Sequence, residues 1–182
     1  NFASLAGLYV RANPPNDPRI MLYCNEFPSF LEAIEPLQHI GYLPDVARLE
    51  LAMRRSYHAA DATAIDPAIF ASLPPEQLAQ TQARFAPAMH IVRSPWPILD
   101  IWHFNMTEGA PQPRGEAQDV LIARPEFDPN LHLLGPGAYD VLTLLHTGKP
   151  LGTSLESVVE TAPDFDFSAL LGTLLQSGAS FH

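Results

Sequence analysis

The sequence contains little cysteine, little lysine and no long hydrophobic run, and each shortage excludes a class of protein. Its 182 residues include a single cysteine, Cys24, so the chain can form neither an internal disulfide nor a zinc site built on paired cysteines. No apolar run approaches the roughly 18 residues of a membrane-spanning helix, and no segment has the pattern of a secretory signal. We therefore expect a cytoplasmic protein without a membrane partner. Because the sequence begins at Asn1 within a helical pattern, we also expect further residues upstream.

The charge balance argues against a polyanionic partner. Ten Lys and Arg residues stand against twenty Asp and Glu residues, which gives a net charge of −10, and Lys149 is the single lysine. Proteins bind phosphate backbones through basic side chains that displace counterions. We therefore expect neither nucleic acid nor an anionic membrane surface as a partner.

Hydrophobic spacing predicts a helical domain over residues 1–106. Val46, Leu49, Met53 and Tyr57 recur at helical spacing and predict an apolar stripe on one long helix. Around residues 84–93 the pattern becomes extended, which predicts a loose β-hairpin. Residues 107–118 hold two Pro, two Gly and no large apolar side chain, and this composition predicts a linker or mobile loop between domains.

Residues 119–182 have the element order of a winged helix. Two short extended runs are followed by three helical segments, with Asp166 placed to cap the last of them, and by a short terminal strand near residues 179–182. The predicted fold class is thus α+β: an N-terminal helical domain followed by a small winged-helix-like domain with a short antiparallel sheet.

The polar residues of the helix over residues 42–61 do not form a predicted reaction centre. Glu50 and Arg54 are four residues apart and can pair, and His58 can contact Asp61, but a metal site needs at least three converging ligands. We predict no catalytic residue, no metal ligand and no cofactor in this chain. Two interpretations of the helix stay open. It is either scaffold or a surface that offers Arg54, Arg55 and His58 to a partner protein.

DNA binding is the alternative hypothesis, because many winged helices read DNA. Residues 119–182 contain two basic residues, Arg124 and Lys149, against eight acidic ones. The last two predicted helices contain neither Arg nor Lys, so they lack the side chains that contact guanine and phosphate. A DNA-binding transcriptional regulator would have to use Arg54 and Arg55 instead.

Segments of residues 2–102 resemble the HvfC/BufC-type proteins, a family whose given name refers to a DNA-binding domain. The segments that carry the resemblance are "LYVRANPP", "FPSFL", "YLPDVARLELAMRRSYHAAD", "LPPEQL", "SPWPI" and "IW". The resemblance implies a non-catalytic partner of a multinuclear non-haem iron-dependent oxidase that modifies ribosomally made peptides. The iron would then belong to the oxidase and not to this chain.

The C-terminal residues are similar in order to the winged-helix modules that bind leader peptides in such pathways. This similarity implies that a short precursor peptide is added to the sheet as a β-strand, beside a groove against the last helix. Main-chain hydrogen bonds would supply affinity, and apolar pockets would select side chains. The residues predicted for strand addition are Val120, Leu121 and Ile122. Those predicted to flank the groove are Phe167, Leu170, Leu171 and Leu174, for which ordinary core packing is the alternative.

Overall fold

The computed structural model describes residues 2–15, 18, 23–62, 68 and 72–177. In this part of the chain, eight α-helices and three β-strands are formed. The first four helices are α1 (Phe2–Ala12), α2 (Phe27–Ala33), α3 (Leu43–His58) and α4 (Pro75–Gln80), with a 3-10 turn at Glu35–Leu37. The remaining elements are β1 (His90–Ser94), α5 (Ile98–Met106), β2 (Gln118–Ala123), β3 (Asn130–Leu133), α6 (Ala138–His146), α7 (Leu151–Val159) and α8 (Phe167–Gln176).

The three strands form one antiparallel sheet in the order β1-β2-β3. Val92 on β1 lies opposite Val120 on β2, and Val120 lies opposite Leu133 on β3. The predicted α+β class is confirmed, because helices fill the N-terminal part and a small antiparallel sheet follows.

Helices cover both faces of this sheet. Successive side chains of a strand point to opposite faces. Val120 and Ile122 pack with Leu49 of α3 and Ile98 of α5. Leu121 points the other way, into a cluster formed with three C-terminal helices. That cluster includes Val141, Leu142 and Leu145 of α6, Val158 of α7, and Leu170 and Leu174 of α8. Fully burying one such aliphatic side chain contributes about 1.5–3 kcal/mol to stability, so the sheet holds the two sets of helices together.

Two local predictions of helix structure are confirmed. Leu49 is fully buried, with Val46 and Met53 packed around it, as the stripe on α3 predicted. The Asp166 carboxylate accepts a hydrogen bond from the Ala169 N–H at 3.0 Å and caps α8. Tyr57 was predicted to continue the stripe, and this prediction is wrong. Tyr57 is 52% exposed.

The strand predicted within a hairpin at residues 84–93 pairs elsewhere. β1 pairs with β2 along its whole length, and Ser94 lies opposite Gln118. The predicted linker at 107–118 therefore runs from α5 to a strand of the same sheet as β1, and its last residue already belongs to β2. Strand β1 comes before this linker, so the sheet draws on both predicted domains. The terminal strand predicted near residues 179–182 lies outside the described residues.

Candidate functional site

The residues predicted for strand addition are on the central strand, and that prediction is wrong. Val120, Leu121 and Ile122 belong to β2, which is hydrogen-bonded to β1 on one side and to β3 on the other. All three side chains are fully buried. A strand can receive another chain only where its N–H and C=O groups are unpaired, so a peptide strand has no place beside β2.

The predicted groove residues on α8 divide between the core and its margin. Leu170 and Leu174 are 4% and 3% exposed and belong to the cluster beneath the sheet. Phe167 and Leu171 are half-buried. The core interpretation therefore describes Leu170 and Leu174, whereas Phe167 and Leu171 keep partly open surfaces.

The three residues predicted to meet a partner do not form one cluster. The Arg54 guanidinium donates to the backbone carbonyl of Tyr23 and so holds the segment before α2. Arg55 is exposed and donates to the side-chain carbonyl oxygen of Asn25 at 3.0 Å. His58 is exposed at the end of α3, with its ring edge-to-face on Tyr57.

The contacts predicted within this helix, Glu50 with Arg54 and His58 with Asp61, are not formed among the described residues, and Arg54 and Asp61 contact other segments instead. Asp61 accepts a hydrogen bond from Arg124 at 2.9 Å, and the same guanidinium donates to the Ala59 carbonyl at 2.8 Å. Arg54 bonds to backbone and not to Glu50 in the described part of the chain. The residues that follow α3 are thus hydrogen-bonded to Arg124, which directly follows β2, and these bonds have a scaffold role.

The outer edge of β1 carries backbone groups that point away from the sheet. The Leu134 N–H donates to the Asp119 carbonyl at 2.9 Å, so Asp119 and alternate residues along β2 bond towards β3. The residues between them bond towards β1. By the alternation of antiparallel pairing, Ile91 and Arg93 direct their N–H and C=O groups outwards. No described strand lies beside them.

No described strand lies beside the outer edge of β3 either, and this edge is shorter. Leu131 and Leu133 direct their backbone groups outwards by the same alternation. Leu133 is 48% exposed, and Phe127 in the preceding turn is 80% exposed. β3 spans only four residues, and short edge strands are one way in which proteins limit unwanted pairing.

A groove of about 420 Å³ runs beside the β1 edge. It will be called the β1 groove. Four consecutive strand residues line it, as expected for a cleft that faces a strand edge and not one face of the sheet: His90, Ile91, Val92 and Arg93. One wall comes from α3 and the segment around α2: Asn25, Pro28, Ser29, Arg48, Leu51, Ala52 and Arg55. Tyr139 of α6 stands on the other side.

An adjoining cavity of about 290 Å³ shares His90, Ile91 and Tyr139 with the β1 groove. It lies on the side of the sheet that faces α6. Its remaining lining is mainly apolar or aromatic and consists of Phe85, Met89, Thr143 and His146. The rings of Phe85 and His146 are stacked with centroids 5.8 Å apart. This cavity is suited to an apolar side chain.

Three of the ten basic residues line the β1 groove, but two of them are already matched by carboxylates. Arg93 donates to Asp119 and Asp140, each at 2.9 Å, and these bonds raise the pKa of Arg93. Arg48 pairs in the same way with two acidic residues, Asp45 and Glu32.

Arg55 differs because its hydrogen-bond partner, Asn25, is neutral. Among the three arginines of the β1 groove, Arg55 is therefore the one that forms no ion pair with a described carboxylate. A second polar feature lies close by. Burial lowers the pKa of His90, and the charges of Arg55 and His146 lower it further. The imidazole is thus held neutral near pH 7, and its buried Nε2 has no hydrogen-bond partner among the described residues.

Neither a metal-binding cluster nor a membrane-spanning helix is found among the described residues. They contain no group of three or more His, Cys, Asp or Glu side chains placed to hold a metal ion. Within the same residues, every helix is too short or too polar to cross a bilayer.

Comparison with known proteins does not assign a family. No protein-family model matches the sequence, and no curated protein matches it. The resemblance carried by the N-terminal segments therefore remains a hypothesis.

Sequence reasoning singled out Arg55 but missed the other residues of the β1 groove. Arg48, His90, Arg93 and Tyr139 come from three separate elements, and nothing in their local sequence marks them as neighbours. The alternation in "HIVRS" was a signal for a strand. The edge position of that strand depends on pairing with β2, across an intervening helix, and has no local signature.

Proposed function

We propose that this chain is a non-catalytic partner protein in the modification of a ribosomally made peptide. It captures the precursor peptide in an extended form at an open edge of its sheet. It docks onto a multinuclear non-haem iron-dependent oxidase, which carries the metals and performs the reaction. The observation that carries the proposal is a small sheet whose two outer strands have no described strand beside them and direct backbone N–H and C=O groups outwards.

Strand addition fits the acidic composition of the chain. Main-chain hydrogen bonds supply affinity in this mode of recognition, while pockets for alternate side chains supply selectivity. Neither requires the basic surface that nucleic acid demands, and the net charge is −10. The β1 groove and its adjoining cavity provide such pockets beside an edge.

The docking face for the oxidase is proposed at the end of α3. Tyr57 is 52% exposed there, and exposed His58 contacts its ring. Tyrosine is enriched at protein interfaces because one side chain offers both apolar area and a polar tip. This end of α3 carries no residue that lines the β1 groove beyond Arg55, so oxidase and peptide can be bound together.

The test is co-purification of the full chain with the oxidase and the short peptide encoded beside it, followed by metal analysis. The full chain is used because a deletion of residues 119–182 would remove β3 and nearly all of β2 and so disrupt the sheet itself. We expect a complex that contains iron, and no iron on the isolated chain. The double variant Tyr57→Ala, His58→Ala should lose the oxidase and keep the peptide. Recovery of the chain without oxidase and without peptide would overturn the proposal.

A further inference from the structure

The β1 edge offers a peptide much more than the β3 edge does. β1 is the longer strand, with five residues against four. Its outward backbone groups at Ile91 and Arg93 face a formed groove with walls from α3 and α6. A walled edge buries the side chains of an added strand as well as pairing its backbone, so it gains affinity from both sources.

The two sides of the β1 edge differ in chemistry. Val92 packs on the side of α3, and Ile91 packs on the side of α6. An added strand lies in the same sheet, so its successive side chains also point alternately to these two sides. The α3 side presents Arg55, whereas the α6 side presents the cavity with Phe85 and Met89.

We propose that the β1 groove takes an extended peptide with one acidic side chain towards Arg55 and a neighbouring apolar side chain in the cavity beside Tyr139. This inference rests on the proposed function and adds to it the edge that is used and the chemistry of the ligand. Residues that point to opposite faces of a strand are an odd number of positions apart in sequence. The acidic and the apolar residue must therefore be adjacent or three positions apart.

The charges in the β1 groove favour a single acidic position. Arg55 has a neutral partner, and a ligand carboxylate can form a charge-assisted hydrogen bond with it. Arg48 and Arg93 already have two carboxylates each. A second acidic side chain near either of them meets excess negative charge and is repelled. The overall charge of −10 adds to this repulsion over longer distances.

The probe is a short synthetic peptide that alternates threonine and leucine, with one central threonine replaced by aspartate. Two matched peptides accompany it. One carries lysine in place of the aspartate, and the other has the aspartate moved by a single position, onto the leucine face. Binding to the full chain is followed by fluorescence anisotropy. We expect the first peptide to bind at least about tenfold more tightly than either control, the effect of one charged hydrogen bond.

Variants of the chain decide the site. Arg55→Glu should reverse the preference, so that the lysine peptide binds more tightly than the aspartate peptide. Arg114→Glu changes the same charge at an exposed side chain outside the β1 groove and should leave the preference unchanged. Ile91→Pro removes an outward N–H at the β1 edge, and Leu131→Pro removes the equivalent group at β3. Only Ile91→Pro should abolish binding.

Each contrary outcome has a definite meaning. Equal binding of the aspartate and lysine peptides, or no binding of any of the three, overturns the inference. Loss of binding in Leu131→Pro but not in Ile91→Pro assigns the ligand to β3. The inference then fails while the proposed function stands. Self-association through β1, seen as a dimer by light scattering that the peptide does not dissociate, also overturns it. If Ile91→Pro fails to fold by circular dichroism, the reversal in Arg55→Glu decides alone.

Discussion

The guanidinium carbon of Arg93 lies 4.1 Å from the centre of the Tyr139 ring. The same guanidinium donates to Asp119 on β2 and to Asp140 on α6. One side chain of the edge strand is thus bonded to the neighbouring strand and to the helix across the β1 groove. This arrangement fixes the position of Tyr139 relative to the open edge, where a ligand would lie.

Replacing Arg93 should loosen α6 from the sheet. We expect Arg93→Ala to lower the free energy of unfolding by about 1 kcal/mol, because the pairs are half exposed and water screens them. Arg93→Lys should recover only part of this, since an ammonium cannot form the two-sided fork. The measurement is urea denaturation. The control is Arg114→Ala, whose single pair to Asp100 spans 3.6 Å. An equal loss in both variants would contradict the bridging role.

Replacing Gly137, at the start of α6, should destabilise the protein more than replacing Gly148. Its φ is +73°, and a Cβ there would lie 2.8 Å from the Cβ of Ala162. Gly148 has a φ of +83°, but a Cβ there meets no described atom within 4 Å. In both alanine variants the left-handed backbone should lower the free energy of unfolding by about 1 kcal/mol. In Gly137→Ala the clash should lower it by at least about 1 kcal/mol more. Thermal unfolding of the two variants compares these costs. Equal melting temperatures would contradict the packing of the α6 start against Ala162.

Gln118 should act as a cap for α5 from a distant strand. Its buried side-chain oxygen accepts from the Leu99 N–H at 2.9 Å and from the Asp100 N–H at 3.2 Å. Gln118→Leu leaves both helix donors without this acceptor, which should cost about 1–3 kcal/mol. The free energy of unfolding from chemical denaturation measures the cost. Asn105→Leu, on the exposed end of the same helix, should change stability by less than about 0.5 kcal/mol. A similar small change in Gln118→Leu would show that the cap contributes nothing.

Stability should fall on acidification because two histidines resist protonation in the folded state. Burial lowers the pKa of His90 and of His132 from the ordinary value of 6.5. Arg55 and His146 lower that of His90 further. Below pH 6.5 the unfolded chain binds protons at these sites more readily than the folded chain. The free energy of unfolding therefore decreases as the pH falls from this value towards the folded-state pKa.

The pH prediction is checked with melting temperatures measured from neutral to mildly acidic pH. His90→Gln should flatten the profile. Asn105→Leu, at an exposed residue without a titratable side chain, serves as the control and should leave the slope as it is. A slope unchanged by His90→Gln would contradict the proposed burial of a neutral imidazole.

The helices could be predicted from the sequence because their signals are local. The stripe around Leu49 and the cap at Asp166 each lie within a few neighbouring residues. The sheet could be predicted only in part. The strand signals were visible, but the pairing of β1 with β2 crosses α5 and a loop rich in Pro and Gly, and pairing at that distance depends on which faces are buried together.

The candidate site was harder to predict than the fold. Val120, Leu121 and Ile122, which the sequence analysis predicts for strand addition, lie on the most hydrophobic of the described strands. The most hydrophobic strand is the central one, since it is buried on both faces and paired on both edges. Edge strands often carry charged side chains, as Arg93 on β1 illustrates. Arg55 was identified from its sequence, but its uncompensated charge became apparent only from the pairing of Arg48 and Arg93 with carboxylates.

Amide hydrogen exchange tests peptide capture at the β1 edge most directly. Exchange rates are measured by NMR on the full chain, with and without the aspartate-containing probe peptide. We expect the outward N–H groups of Ile91 and Arg93 to exchange rapidly in the free protein and to exchange more slowly after addition of the peptide. Those of Leu131 and Leu133 should not change. Unchanged exchange at both edges in the presence of bound peptide would contradict capture by strand addition.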